Sequence, residues 1–184
     1  MTDRKIPDFK ALENSIIDVI KEEQIKLGYR SETIRLYYPL ESIQKLLGKE
    51  YDTSTFNVVL DGFCDSVKER LGEVIHSHQG SRYCFVIPAI GVTFVHEKVE
   101  ENYFLVEFIN KMNHHGCTLE EILDLFNRYS DKVVFEKTNH GEFDYLIYFE
   151  DGIPDRYRYC LKFEHGHAIY HRFTKDDYES FDFD

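Results

Sequence analysis

The sequence predicts an α+β protein, with a winged-helix-like amino-terminal module packed against two helices and a four-stranded antiparallel meander. Three observations carry this. Between Asp8 and Glu97 the order reads helix, short strand, helix, helix, then two strands around a Gly-containing turn. Thr118, with Glu121 three residues on, forms a capping-box signature at the head of a later helix. After Ser130 the apolar period changes from that of a helix to that of a half-covered strand. Residues 1–97 form the predicted first module and residues 98–184 the second, with no Pro-, Gly- or Ser-rich linker between them.

In the first module, Phe9, Leu12, Ile16, Ile17, Val19, Ile20 and Leu27 recur at the spacing of one helical face, and Gly28 is a suitable stop. Thr33 to Tyr38 is β-branched and aromatic, and Pro39 can open a short helix that ends near Gly48. Asp52, Thr53 and Ser54 offer caps for a third helix whose stripe is Phe56, Val59, Leu60, Phe63, Val67 and Leu71. Glu73 to His78 and Arg82 to Ile87 read as strands about Gln79, Gly80 and Ser81, and Ile90 to His96 as a further apolar strand.

In the second module, Tyr103 to Met112 is apolar around so much of its circumference that it is expected to be covered on several sides, with Phe104, Val106 and Ile109 in a core shared by the two halves. The capped helix after Thr118 carries Leu119, Ile122, Leu123, Phe126 and Tyr129. The meander strands are Lys132 to Thr138, Phe143 to Glu150, Arg156 to Glu164 and His167 to Phe173, with turns at Asn139-His140-Gly141, Asp151 to Asp155 and His165-Gly166. Lys175 to Asp184 is an acidic, aromatic tail, read as a solvated end or alternatively as a docking peptide for a basic, apolar groove.

Composition narrows the function. The 184 residues carry a net charge of −12, with 12 Lys/Arg against 15 Asp/Glu up to residue 97 and 10 against 19 beyond it. Such a field repels phosphate backbones and anionic lipid, so neither a nucleic-acid nor a membrane partner is expected. The longest nearly apolar run, Cys84 to Val92, contains Pro88 and Gly91 and is far shorter than the ~20 residues that span a bilayer. The four widely spaced cysteines form no CxxC pair, and the first residues lack a signal-like apolar stretch, which together fit a reducing cytoplasm. Dinucleotide, P-loop, zincin, hydrolase-elbow and calcium-loop motifs are all missing, so no cofactor is expected.

Four groupings could still carry chemistry. Tyr29, Arg30, Arg35, Tyr37 and Tyr38 combine rigid apolar faces with forked donors, a mixture suited to a protein partner, although the tyrosines could equally close the module. A two-residue turn at His165-Gly166 sets Cys160 opposite His171, Lys162 opposite Ile169 and Glu164 opposite His167. A thiol beside an imidazole is the minimum for an activated nucleophile, and Cys160 acting as a small hydrophobe is the ordinary alternative. His114-His115-Gly116-Cys117 places three ligand types together, but adjacent residues rarely point at one ion, so no metal site is expected there. His76 to Arg82 would form the tip of a wing, with one Arg for phosphate, while the exposed stripe of the third helix, Ser54, Asn57, Val58, Asp61, Asp65 and Lys68, carries two carboxylates.

Leu27-Gly28-Tyr29-Arg30 and Arg35-Leu36-Tyr37-Tyr38-Pro39-Leu40 resemble the bacterial family named domain of unknown function 3877, found in anaerobic gut bacteria, and the likeness spans most of the chain. That resemblance implies a cytoplasmic bacterial protein, transfers no functional residue and argues against a well-known enzyme class. The leading expectation is therefore a non-enzymatic cytoplasmic protein that binds another macromolecule, a protein, through its acidic and aromatic surface. Its rivals are a winged-helix nucleic-acid-binding regulator and an enzyme using Cys160 with His171. The oligomeric state is left open.

Overall fold

The computed structural model describes residues 9–138 and 142–180. The predicted turn Asn139-His140-Gly141 and the last four residues of the acidic tail lie outside them. The chain forms two compact units, Met1–Glu100 and Glu101–Asp184, with an α+β content of seven helices and two antiparallel sheets among the described residues.

The first unit runs α1 (Lys10–Leu27), β1 (Ile34–Pro39), α2 (Leu40–Leu47), α3 (Thr53–Leu71), β2 (Ile75–Gln79), β3 (Arg82–Ile87) and α4 (Ala89–Lys98). Its sheet order is β1-β3-β2. One apolar core gathers Leu12, Ile16 and Ile20 of α1, Phe56, Leu60 and Phe63 of α3, and Tyr83, Phe85 and Ile87 of β3. Local chemistry sets the boundaries. The Asp52 carboxylate accepts from the backbone N–H groups of Ser54 and Thr55, satisfying orphan donors at the head of α3. Gly48 ends α2 in the left-handed region, at φ 65°. Helices α1 and α3 are tied by a forked Arg70–Glu13 pair with N–O distances of 2.5 and 3.1 Å.

Ile90 to His96 is helical, which corrects the strand reading. Pro88 stands in extended geometry at the N-cap of α4, and Val92 and Val95 turn into the core. A short apolar run rich in β-branched residues suits either structure, so periodicity alone does not decide it. Packing does: a Cβ at Gly91 would collide with the Leu71 carbonyl, so this glycine lets α4 close on the end of α3.

The second unit runs α5 (Tyr103–Met112), α6 (Leu119–Tyr129), β4 (Val133–Lys137), β5 (Tyr145–Phe149), β6 (Arg158–Glu164), β7 (His167–Phe173) and α7 (Lys175–Ser180), with the strands in meander order. The Thr118–Glu121 capping box forms as its spacing predicts. His165 (φ 52°) and Gly166 (φ 78°) both take positive φ, the requirement of a type I′ hairpin turn, and this sets the register Cys160↔His171, Lys162↔Ile169 and Glu164↔His167. Phe104 and Ile109 are buried and Val106 is half-buried. The ring of Phe104 meets Phe126 at 4.8 Å, Phe149 at 4.9 Å and Tyr159 at 5.8 Å, all edge to face and all from the same unit.

A buried ion pair lies on the face of this sheet that α5 and α6 cover, since Arg172 pairs with Tyr159 in the register. Asp155 accepts from Arg172 at 3.1 Å, from the Asn102 amide at 2.8 Å and from the Tyr157 backbone at 2.9 Å, while the Arg172 guanidinium lies over the Tyr157 ring at 4.1 Å. The tail departs from the solvated-end reading, because residues 175–180 form α7. Thr174 caps it by accepting from the Asp177 backbone at 3.1 Å, and Tyr178 packs on Phe173 and under Arg158. Among the described residues no helix is long and apolar enough to cross a membrane.

Candidate interaction site

Strand alternation sorts the residues of the first sheet. Leu36 and Tyr38 of β1, with Tyr83, Phe85 and Ile87 of β3, face the core. Their neighbours face away in three cross-strand rows, Arg35–Val86–Ile75, Tyr37–Cys84–Ser77 and Pro39–Arg82–Gln79. The Arg82 guanidinium lies over the Tyr37 ring, 4.7 Å from its centroid. Tyr37 remains 54% exposed and Ile75 63% exposed, so the face is open and partly apolar. A shallow depression of about 590 Å³ lies on it, lined by Arg35, Tyr37, Ser77, Gln79, Arg82 and Cys84 among others. None of the lining residues is Asp or Glu, on a chain where acidic residues outnumber basic ones by 34 to 22.

The five residues read as partner-binding are divided by the fold. Arg35 and Tyr37 stand on the open face, where Arg82 joins them from the predicted wing tip. Tyr38 faces inward. Its hydroxyl shares a hydrogen bond with Ser15 at 3.2 Å, and burial pushes its pKa up to about 12. Tyr29 stacks on His96, with centroids 3.9 Å apart, and its hydroxyl meets Thr93 at 2.8 Å. Arg30 lines a separate small cavity of about 100 Å³ with Ile20, Glu23, Gln24 and Glu32. Reading β1 by twos separates Arg35 and Tyr37 from Leu36 and Tyr38. That Arg82 joins them required the β1–β3 register, which sequence alone does not supply.

The features that a nucleic-acid reader would use are occupied or acidic. On the exposed stripe of α3, Lys68 pairs with Glu73 at 2.9 Å and Asp61 meets His76 Nε2 at 2.9 Å. His78 stacks on Tyr83, with centroids 5.0 Å apart, instead of standing free at the turn.

Cys160 lies opposite His171 in the register, yet it is fully buried with Leu146 and Phe173, against which Phe143, Tyr148 and Tyr178 pack. Burial pushes its thiol up to about 12, with Arg158 lowering it only in part, so the thiol form dominates at neutral pH and nucleophilic reactivity is suppressed. The His171 ring lies tilted by 37° against Phe173, with centroids 4.3 Å apart. At the α5–α6 connection, His114 and His115 are exposed, Gly116 takes φ 84° and Cys117 is buried. Among the described residues no group of three or more His, Cys, Asp or Glu side chains could hold a metal ion.

The architecture defines a class, an α+β protein with a three-stranded sheet in one unit and a four-stranded meander in the other. Within it, the chain belongs to the family described as "Domain of unknown function, E. rectale Gene description (DUF3877)", whose model matches residues 9–181. No curated protein and no solved structure matches the chain.

Proposed function

We propose that this chain is a non-enzymatic, cytoplasmic bacterial protein that binds an acidic segment of a partner protein on the open face of the β1–β3–β2 sheet. The observation that carries the reading is the pairing of Arg35 and Arg82 around Tyr37, on a face without carboxylates, in a chain of net charge −12. Steering by such a local reversal of sign selects anionic partners, and an exposed Tyr flanked by Arg is the composition in which binding energy concentrates. The order α1-β1-α2-α3-β2-β3 with sheet order β1-β3-β2 supports a winged-helix-like scaffold for residues 1–97, followed by a second module over 98–184. A protein partner is favoured over nucleic acid because two arginines fall well short of the ~6 to 10 phosphate contacts of a strong binder, and because Asp61 and Asp65 occupy the exposed stripe of α3.

The test is affinity capture from the native cytoplasm with the intact chain as bait, beside Arg82→Glu and Arg35→Glu baits and a nuclease-treated control. A protein recovered by the wild type, resistant to nuclease and reduced at least about tenfold on either charge reversal is the expected result. Recovery that nuclease abolishes would put the nucleic-acid regulator first. Recovery indifferent to both reversals would remove this face from consideration.

A further inference from the structure

Strand β1 ends the β1-β3-β2 order, and among the described residues no strand pairs with its outer side. The hydrogen-bond phase of that edge follows from one contact. The Leu40 N–H donates to the Ser81 carbonyl at 2.7 Å, one residue beyond the cross-strand pair Pro39↔Arg82. Antiparallel ladders alternate hydrogen-bonded and non-hydrogen-bonded pairs, so a bond just outside Pro39↔Arg82 makes that pair a non-hydrogen-bonded one. Counting back by twos, Tyr37↔Cys84 and Arg35↔Val86 are of the same kind, while Tyr38, Leu36 and Ile34 bond to β3. The backbone N–H and C=O groups of Arg35 and Tyr37 therefore point out from the edge. Their side chains stand on the open face, where the Arg82 guanidinium lies over the Tyr37 ring. The two residues that offer free backbone groups thus stand beside the cations of the face.

Resting on the acidic-partner reading above, the geometry points to strand addition. An extended segment of the partner protein pairs antiparallel with the β1 edge and carries Asp or Glu at two positions separated by one residue. Partner residues opposite Arg35 and Tyr37 exchange both backbone bonds with them, with Cα atoms ~5.5 Å apart, and their side chains emerge on the same face. One carboxylate then faces Arg35, and the other faces the Arg82 guanidinium over Tyr37. The residue between them turns to the opposite side, so its charge is not specified. Antiparallel addition is favoured because parallel pairing is less stable per residue. Pro39 has no N–H to offer, which ends the added ladder beyond Tyr37. The β2 edge suits an acidic segment less well. Gln79 and Arg82 close a two-residue turn and are hydrogen-bonded to each other, so the outward backbone groups of β2 belong to His76 and His78. Their side chains lie on the core side, where Asp61 meets His76 at 2.9 Å and repels a second carboxylate.

The experiment is amide hydrogen exchange of the intact chain, followed by NMR, with and without the end-blocked peptide Thr-Thr-Glu-Thr-Glu-Thr-Thr. In the free chain the Arg35 and Tyr37 amides should exchange fast and those of Leu36 and Tyr38 slowly. The peptide should slow Arg35 and Tyr37 at least about tenfold. N-methylation of both glutamate nitrogens should weaken binding at least about tenfold, since those N–H groups bond to β1, whereas N-methylation of the threonine between them should leave it unchanged. A peptide of the same composition with adjacent glutamates should bind more weakly, because its carboxylates fall on opposite faces. Protection of Arg35 and Tyr37 in the free chain would overturn the inference, since the edge would then be closed already. No binding at about 1 mM peptide would also overturn it, and affinity capture would then judge the acidic-partner reading by itself. Binding that Arg35→Glu and Arg82→Glu abolish but that is indifferent to N-methylation would overturn strand addition and leave the acidic-partner reading standing. Binding indifferent to both charge reversals would overturn that reading and the inference with it.

Discussion

In the three-stranded sheet, Arg35, Tyr37, Arg82 and Cys84 stand mid-strand on the face turned from the core and stay exposed or half-buried. In the four-stranded sheet, Cys160 occupies the same kind of position, the strand face away from α5 and α6, yet it is fully buried because Phe173 and Tyr178 close over it. Alternation placed both cysteines on an outward face. What separates them is whether a later stretch of chain returns to cover that face. The consequence is chemical: burial pushes the thiols of Cys64 and Cys160 up to about 11 and about 12, and raises that of Cys117. The face of the first sheet turned from its core is left exposed, while the corresponding face of the meander is covered.

The sharpest test of the closed sheet is Phe104→Ala. The side chain is buried among Phe126, Phe149 and Tyr159, so its loss removes apolar contact and leaves a cavity, at a cost of about 3–5 kcal/mol in unfolding free energy. Denaturant titration measures this. A cost below about 1 kcal/mol would mean that the aromatic cluster is loosely packed and that the contrast between the sheets is overstated.

Uncovering the meander should have a smaller effect. Tyr178 is half-buried, and Tyr178→Ala should cost about 1–2 kcal/mol while exposing Cys160. Alkylation at pH 9 with mass-spectrometric readout reports both. In the wild type Cys84 should react first and Cys160 last, because a thiol held neutral up to about 12 gains almost no thiolate between pH 7 and 9. In the Tyr178→Ala chain Cys160 should move up the order. Fast labelling of Cys160 in the wild type would contradict its burial and revive the Cys160–His171 enzyme reading.

The parts of the fold legible in sequence were those decided locally. His165-Gly166 set the β6–β7 register, because a two-residue turn with both residues at positive φ admits one pairing. Thr118 and Glu121 located the start of α6 in the same way. The strand reading of Ile90 to His96 failed because a buried helix and a buried strand share the same apolar run, and the deciding contact, Gly91 against the Leu71 carbonyl, lies twenty residues away in sequence. Helix α7 was the avoidable miss. Thr174 with Asp177 three residues on is a cap signature of the same kind as Thr118 with Glu121, obscured by the acidic composition around it. At the candidate interaction site, Arg35 and Tyr37 were legible as neighbours. Arg82 was assigned to the wing tip because the β1–β3 register is a non-local fact.

The smallest expected effect is the most diagnostic for the open sheet. If the face exists for a partner, its residues contribute little to folding, so Tyr37→Ala and Arg82→Glu should each change unfolding free energy by no more than about 0.5 kcal/mol. The Arg82–Tyr37 stack is exposed on one side and adds at most about 1 kcal/mol, part of which water recovers when it is broken. Both substitutions lie on the side of the sheet opposite Tyr38, Tyr83 and Phe85, so the core should keep its packing. Thermal and denaturant melts of the two variants beside the wild type settle the point. Coincident melts combined with loss of partner capture would separate binding from stability. A loss of about 2 kcal/mol or more from either substitution would mean that Arg82 and Tyr37 hold the sheet together, and the open face would then resemble the closed one in role as well as in alternation.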